Sequence, residues 1–242
     1  MTRRFALIGH PVAGSLSPRL FAAAYGGRYG YDLLDFASFS EAWEAFERGY
    51  DGINVTAPFK LEAFARVNRL SAQARATGAV NLVVPEGDGY AGYNTDVDGV
   101  SATLRESGLS PADTLVVGTG GAARAAAYAA SALGSRVTVT GRSLAKAAAL
   151  GYDAIPLEEV PSCRPDLIIY TLPGSAPVPE GLPFRGAALL EAEYRAPRLA
   201  DAPCACYLGG RSWLLHQAAA GYERFTSEAP DTEAMKRSLQ TL

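Results

Sequence analysis

Histidine and cysteine are scarce. The 242-residue chain has only His10 and His216, far apart, and three cysteines, Cys163, Cys204 and Cys206. So few ligands at such separations argue against a zinc site, and no metal is expected. The cysteine number is odd, and Cys204-Ala-Cys206 lies in an apolar run that reads as a strand. This favours buried, reduced thiols in a cytoplasmic protein over a disulfide framework. Long hydrophobic runs are missing too, and none approaches transmembrane length. The opening run, MTRRFALIGHPV, is too short for a signal peptide and breaks at Gly9 and Pro11, so it reads as a first strand. A charge excess of either sign is also lacking. The formal net charge is −3 with no basic cluster, which argues against a nucleic-acid surface.

What is present is a large apolar fraction, 48%, in short runs that alternate with helical stretches. The expected strands are 4–9, 31–36, 52–55, 79–85, 90–93, 114–117, 136–140, 166–172, 187–194 and 205–208. Alternation of this kind predicts parallel sheets covered by helices. Ten strands are too many for one sheet of this length. The chain is therefore expected to be α/β with two domains, the boundary falling near Val97–Gly99.

The second of these opens on Leu115-Val-Val-Gly-Thr-Gly-Gly-Ala-Ala-Arg-Ala125. An apolar strand, a glycine turn and an alanine-rich helix follow one another, as in a dinucleotide-binding unit. Gly118 allows the tight turn, Gly120 lets backbone approach a pyrophosphate, and Ala123 permits close packing of helix on strand. Gly121 and Ala122 open the helix, whose N-terminal N–H groups suit phosphates. Roughly twenty residues on, where a ribose-reading carboxylate would mark NAD, stand Arg142, Ser143 and Lys146. A guanidinium there suits a 2′-phosphate, so NADP is the expected cofactor.

Four polar loops stand out in the first half. Ser15 and Ser17 precede Pro18 at a helix start, where spacing alone favours plain capping by Ser17 over a carboxylate site. Asn54 and Thr56 share one side of a strand, and Pro58 opens a helix with Lys60 in its first turn. That is a poor place for a cation kept only for its charge, and a place from which a lysine could take up a proton. Gly78-Ala-Val-Asn81 and Gly92-Tyr-Asn94-Thr95-Asp96 follow, and Thr95 or Asp96 could simply cap a helix. Near the C-terminus, Ser212 reads as a cap, and Trp213, Leu214, Gln217 and Ala218 share a helical face.

In order and separation these clusters resemble the shikimate dehydrogenase family over nearly the whole chain. The carrying pieces are Ser15-Leu-Ser17-Pro18, Asn54-Val-Thr56-Ala-Pro58-Phe-Lys60, Gly78-Ala-Val-Asn81, Gly92-Tyr-Asn94-Thr95-Asp96, Gly118-Thr-Gly120-Gly-Ala-Ala-Arg124 and Gln217-Ala-Ala. The resemblance implies NADP-dependent, reversible reduction of 3-dehydroshikimate to shikimate. Lys60 and Asp96 would be the catalytic pair. Ser15, Ser17, Thr56, Asn81, Tyr194 and Gln217 would join them in holding substrate in a cleft between a discontinuous substrate domain, residues 1–97 with 211–242, and a Rossmann-type domain, residues 98–210. Arg142 would clamp the 2′-phosphate, and a monomer or homodimer is expected. Four positions depart from the family pattern. Gly14 replaces a histidine, Tyr170-Thr-Leu-Pro173 an Asn-Ala-Thr-Pro, and Glu191 an aspartate. Trp213 stands where a methionine lies beside the nicotinamide, and it is expected either to stack there or to turn into the core, stacking being favoured. The rivals are a quinate or NAD enzyme of the same fold, and a homologue that binds but turns over poorly.

Overall fold

The computed structural model describes residues 3–240. They fall into two compact units, Met1–Thr95 with Leu215–Leu242, and Asp96–Leu214. The crossings thus lie two to four residues from the boundaries expected at 97/98 and 210/211. Each unit has its own six-stranded sheet.

In the first unit the chain runs β1 (Arg4–Gly9), α1 (Ser17–Tyr25), β2 (Gly30–Asp35), α2 (Phe39–Glu47), β3 (Gly52–Val55), α3 (Lys60–Arg66), β4 (Arg69–Leu70), α4 (Ala72–Thr77), β5 (Leu82–Glu86) and β6 (Gly89–Tyr93). The strand order is β2-β1-β3-β5-β6-β4. β1 is a continuous apolar run buried on both faces, as a central parallel strand must be. β1 pairs in parallel with both β2 and β3.

The sheet is mixed rather than purely parallel, which corrects the expectation. β5 runs antiparallel to β3 and β6. Only Gly87 and Asp88 separate β5 from β6, and Gly87 sits at φ +63°. Two residues can turn a hairpin but cannot make a crossover. β5 also starts three residues later than expected, so Asn81 lies just ahead of the strand.

The second unit holds α5 (Asp96–Glu106), β7 (Asp113–Val117), α6 (Gly121–Ala132), β8 (Arg136–Thr140), α7 (Leu144–Ala148), β9 (Asp153–Ile155), β10 (Leu167–Tyr170), β11 (Ala188–Glu191) and β12 (Cys206–Gly209). All its pairings are parallel, in the order β12-β11-β10-β7-β8-β9. Counted within the unit, that is the 3-2-1-4-5-6 order of a doubly wound dinucleotide fold, with the order reversing between β7 and β10. α6 is built from alanine because it is packed on several sides: Ala123, Ala125, Ala126, Ala127, Ala129 and Ala130 are all fully buried. Alanine combines high helix propensity with no side chain to hold the helix away from the sheet. Separate apolar cores cover the two faces of this sheet, one including Val116, Val139, Ile169 and Leu190, the other Leu115, Val117, Ile168 and Leu189.

α8 (Gly210–Thr226) carries the return crossing, and α9 (Thr232–Gln240) completes the first unit. Phe225 of α8 stacks on Phe5 at 4.8 Å between centroids, and Tyr222 meets Phe21 edge-on at 4.7 Å. Ser212 lies inside α8 and not at its cap, because the helix begins at Gly210. Cys163, Cys204 and Cys206 are free, but none is buried. Cys206 is exposed on the edge strand β12, correcting the expectation of core thiols.

Candidate active site

The polar loops of the first unit converge because the sheet topology brings them to one end. The loops after β1 and β3 start side by side: Thr56 N–H donates to the Ile8 carbonyl at 2.9 Å, and His10 N–H to that of Ala57 at 3.0 Å. Asn81 precedes the antiparallel β5 and therefore lies at the same end. Thr95 follows β6, which also finishes there. Small molecules bind at such carboxyl ends in open α/β sheets.

At the first loop, α1 begins with Ser17 itself, and the capping position is Leu16, which contributes no side-chain bond. Ser15 supplies the local bond instead. Its hydroxyl accepts from Ser17 N–H at 3.2 Å and donates to Ser17 Oγ at 3.1 Å. Capping by Ser17 with Ser15 idle is thus reversed, and the two hydroxyls stand as a pair. Asp35, at the end of β2, accepts from Val12 N–H at 3.0 Å and pairs with His10 Nδ1 at 2.7 Å, anchoring this loop. Those two bonds, the backbone one first, hold the Asp35 carboxyl below its ordinary pKa.

At the second loop, Pro58 sits in a turn and α3 starts at Lys60, two residues later than expected. Lys60 is half-buried, and its carbonyl accepts from Val80 N–H at 3.0 Å. Asn81 is the hub of the site. Its carbonyl oxygen Oδ1 accepts from Thr95 N–H at 2.8 Å, and its amide donates to Thr95 Oγ1 at 3.2 Å and Gln217 Oε1 at 3.4 Å. Behind it, Asn54 donates to the Asn81 main-chain carbonyl at 3.3 Å and accepts from Tyr31 Oη at 2.7 Å. α8 approaches closely at Gly221, where an added Cβ would lie 2.7 Å from Leu82 Cδ1. That approach brings Gln217 within reach. Ser15, Ser17, Thr56, Lys60, Asn81 and Gln217 therefore belong to one end of one sheet. Tyr31 was not singled out by the sequence, since a tyrosine on an apolar strand gives no polar signal. Thr95 read only as a cap.

The second unit presents a different surface. Gly118 adopts φ +131°, and an added Cβ would collide with the Thr171 hydroxyl, so only glycine fits. At Gly120 an added Cβ would meet no protein atom within 4 Å. Packing does not demand that glycine, but a phosphate resting against the backbone would. Gly120 caps α6 without a side chain, leaving the opening N–H groups of Gly121 and Ala122 clear of a cap. Ala123 is fully buried, as its packing role requires. Arg142 follows β8 and is exposed, with Lys146 also exposed. Ser143 caps α7, its Oγ accepting from Lys146 N–H at 3.3 Å, so its hydroxyl has a structural task. The glycine turn and the exposed guanidinium fit a 2′-phosphorylated dinucleotide.

Asp96 opens α5 in this unit and is 7% exposed. Trp213, 5% exposed, packs among the core residues around Val97 and Val100, and its Nε1–H donates to Asp96 Oδ1 at 3.1 Å. The indole thus takes the core alternative rather than the favoured stacking one. Tyr170 is likewise turned fully inward.

Tyr194 is half-buried in the segment after β11 and belongs to this second unit, whereas the hydroxyl cluster belongs to the first. Its segment is pinned by Glu191, a fully buried carboxylate. Glu191 accepts from Arg198 N–H at 2.9 Å, Leu199 N–H at 3.1 Å and Tyr207 Oη at 2.8 Å. Burial first, and then this bond, push the Tyr207 hydroxyl well above its usual pKa.

A doubly wound unit with a phosphate turn, in one chain with a unit that clusters hydroxyl and amide side chains at the carboxyl end of its sheet, fits a dinucleotide-dependent enzyme class. Comparison with known proteins narrows the class. Residues 7–83 match the shikimate dehydrogenase substrate binding domain. The NADP(+) shikimate dehydrogenase of Halobacterium salinarum is 36% identical, and that of Shouchella clausii 32%, each alignment covering at least 98% of both chains. The crystal structure of shikimate 5-dehydrogenase from Thermus thermophilus with NADP(H) and shikimate superimposes with a TM-score of 0.85 at 31% identity, covering 99% of both chains. The chain belongs to the shikimate dehydrogenase family.

Proposed function

We propose that the chain is an NADP-dependent shikimate dehydrogenase, interconverting 3-dehydroshikimate and shikimate. The observation that carries this reading is the cluster at the carboxyl end of the first sheet. Two paired serines, Thr56, Lys60, Asn81 and Gln217 stand together there, a donor set suited to an acid bearing several hydroxyls. Ser15 and Ser17 hold the carboxylate at the start of α1. Thr56, Asn81 and Gln217 read hydroxyls, and Tyr194 contributes from the segment that Glu191 pins.

Oxidation of one secondary alcohol releases a hydride and a proton. NADP, when bound, supplies the acceptor of the hydride. Lys60 and Asp96 form the pair that removes the proton from the reacting hydroxyl. Gly118, Gly120, Gly121, Ala122 and Ala123 form the pyrophosphate cradle. Arg142, with Lys146 nearby, clamps the 2′-phosphate, and a fork of guanidinium donors suits that group.

The test uses the purified protein with shikimate and either NADP or NAD, following reduced nicotinamide by absorbance. Turnover with NADP and shikimate is expected. Preference for quinate or NAD would move the chain to a sister activity of the same fold. Binding without turnover would make it a non-catalytic homologue.

A further inference from the structure

The hydrogen bond between Trp213 and Asp96 has no part in the chemistry described so far. Three observations make it more than packing. Asp96 opens α5, so the helix sets its backbone while the groups its carboxylate meets set the direction of its side chain. Trp213 lies in the opening turn of α8, wedged in the second unit's core, so its N–H direction is set by the packing of a large ring. The two residues also flank the crossings of the chain: Asp96 is the first residue of the second unit, and Trp213 the last but one. A buried indole N–H needs an acceptor, and this one is spent on a carboxylate.

We propose that Trp213 is a positioning residue for the reaction, its indole N–H holding Oδ1 of Asp96 and so setting the plane in which that carboxylate works. The proposal rests on the role given to Asp96 above. A methionine in this place has no donor, so the device belongs to this chain's own residue and not to the resemblance. An N–H to carboxylate bond at 3.1 Å within a largely dry environment is strong enough to restrain a single torsion.

The test compares Trp213→Phe, which keeps an aromatic ring and loses the donor, with the parent. A fall in kcat of about tenfold is expected, the fold-change that corresponds to one hydrogen bond to a charged group. KM for shikimate and for NADP should stay within a few-fold. Asp96→Asn supplies the second arm. In that background Trp213→Phe should cost nothing more, because its effect passes through Asp96. Multiplying losses would overturn the proposal and leave Trp213 a core residue only.

A third arm needs no tryptophan variant to fold. The chain has two tryptophans, so their indole N–H resonances are readily separated by NMR. Asp96→Asn should move the Trp213 signal and leave that of Trp43 in place. An unmoved Trp213 signal overturns the bond. If Asp96→Asn keeps full turnover, the assignment of Asp96 falls. If it loses turnover while Trp213→Phe keeps it, only the positioning role falls.

Discussion

Single side chains in this protein are set by what their neighbours accept or donate. Lys60 is the sharpest test, because a group that serves mainly the transition state lowers turnover with little change in ground-state affinity. Lys60→Ala should cut kcat by on the order of a hundredfold or more, as loss of a general base does. Shikimate affinity, measured by calorimetry, should stay within a few-fold. Intact turnover would remove Lys60 from the catalytic pair, and lost binding with surviving turnover at saturation would make it a clamp. Arg142 is tested by cofactor choice. Arg142→Ala should weaken NADP by about tenfold or more, the scale of a charge-assisted contact, and NAD hardly at all, in steady-state kinetics with each cofactor. The difference should shrink at high salt, since Arg142 is exposed. Equal loss for both cofactors would show that Arg142 touches something other than the 2′-phosphate.

Elements place these groups through their ends. In the first sheet the useful ends are those of β1, β3 and β6 and the approach to β5, and the short hairpin of β5 and β6 puts Asn81 and Thr95 together. In the second sheet the segment after β11 depends on one buried carboxylate. Removing it strands two backbone N–H groups and the Tyr207 hydroxyl without their acceptor. Glu191→Ala should therefore destabilise the protein by about 3 kcal/mol or more, each buried donor left without an acceptor costing about 1–3 kcal/mol, read as a lower midpoint in urea unfolding. Glu191→Asp should recover only part of this, because the shorter side chain cannot reach all three donors. A change under about 0.5 kcal/mol, typical of surface substitutions, would show that water replaces the lost acceptor.

At the scale of the whole molecule, acid should act unevenly. Asp32, Asp35 and Glu228 are held below their ordinary pKa, chiefly by Arg4, by Val12 N–H and by Tyr29 respectively. All three lie in the first unit. A carboxyl depressed in the folded state adds stability above its unfolded pKa of about 4. That stability is lost as pH falls through the folded value. The first unit should therefore loosen first below about pH 4. Each unit carries one buried tryptophan, Trp43 and Trp213. Emission from Trp213→Phe, which reports Trp43, should change at higher pH than emission from Trp43→Phe, which reports Trp213. Coincident transitions would show that the two units unfold as one.

Much of this protein is determined along the chain alone. β1 and β3 lie where short, largely apolar runs bounded by turn residues put them, because burial of both strand faces demands such runs. The glycine turn was legible because Gly118 and Gly120 answer local needs, one of backbone angle and one of open space. The two-residue strand β4 and the three-residue β9 left no pattern to read, being too short for periodicity. Tertiary structure alone decided what pairing and packing decide. It made β5 antiparallel, and it joined Asn81 to Thr95 across the hairpin and to Gln217, 136 residues further on. It also turned Trp213 inward onto Asp96, 117 residues away, because the direction of a buried N–H depends on neighbours that no local spacing names.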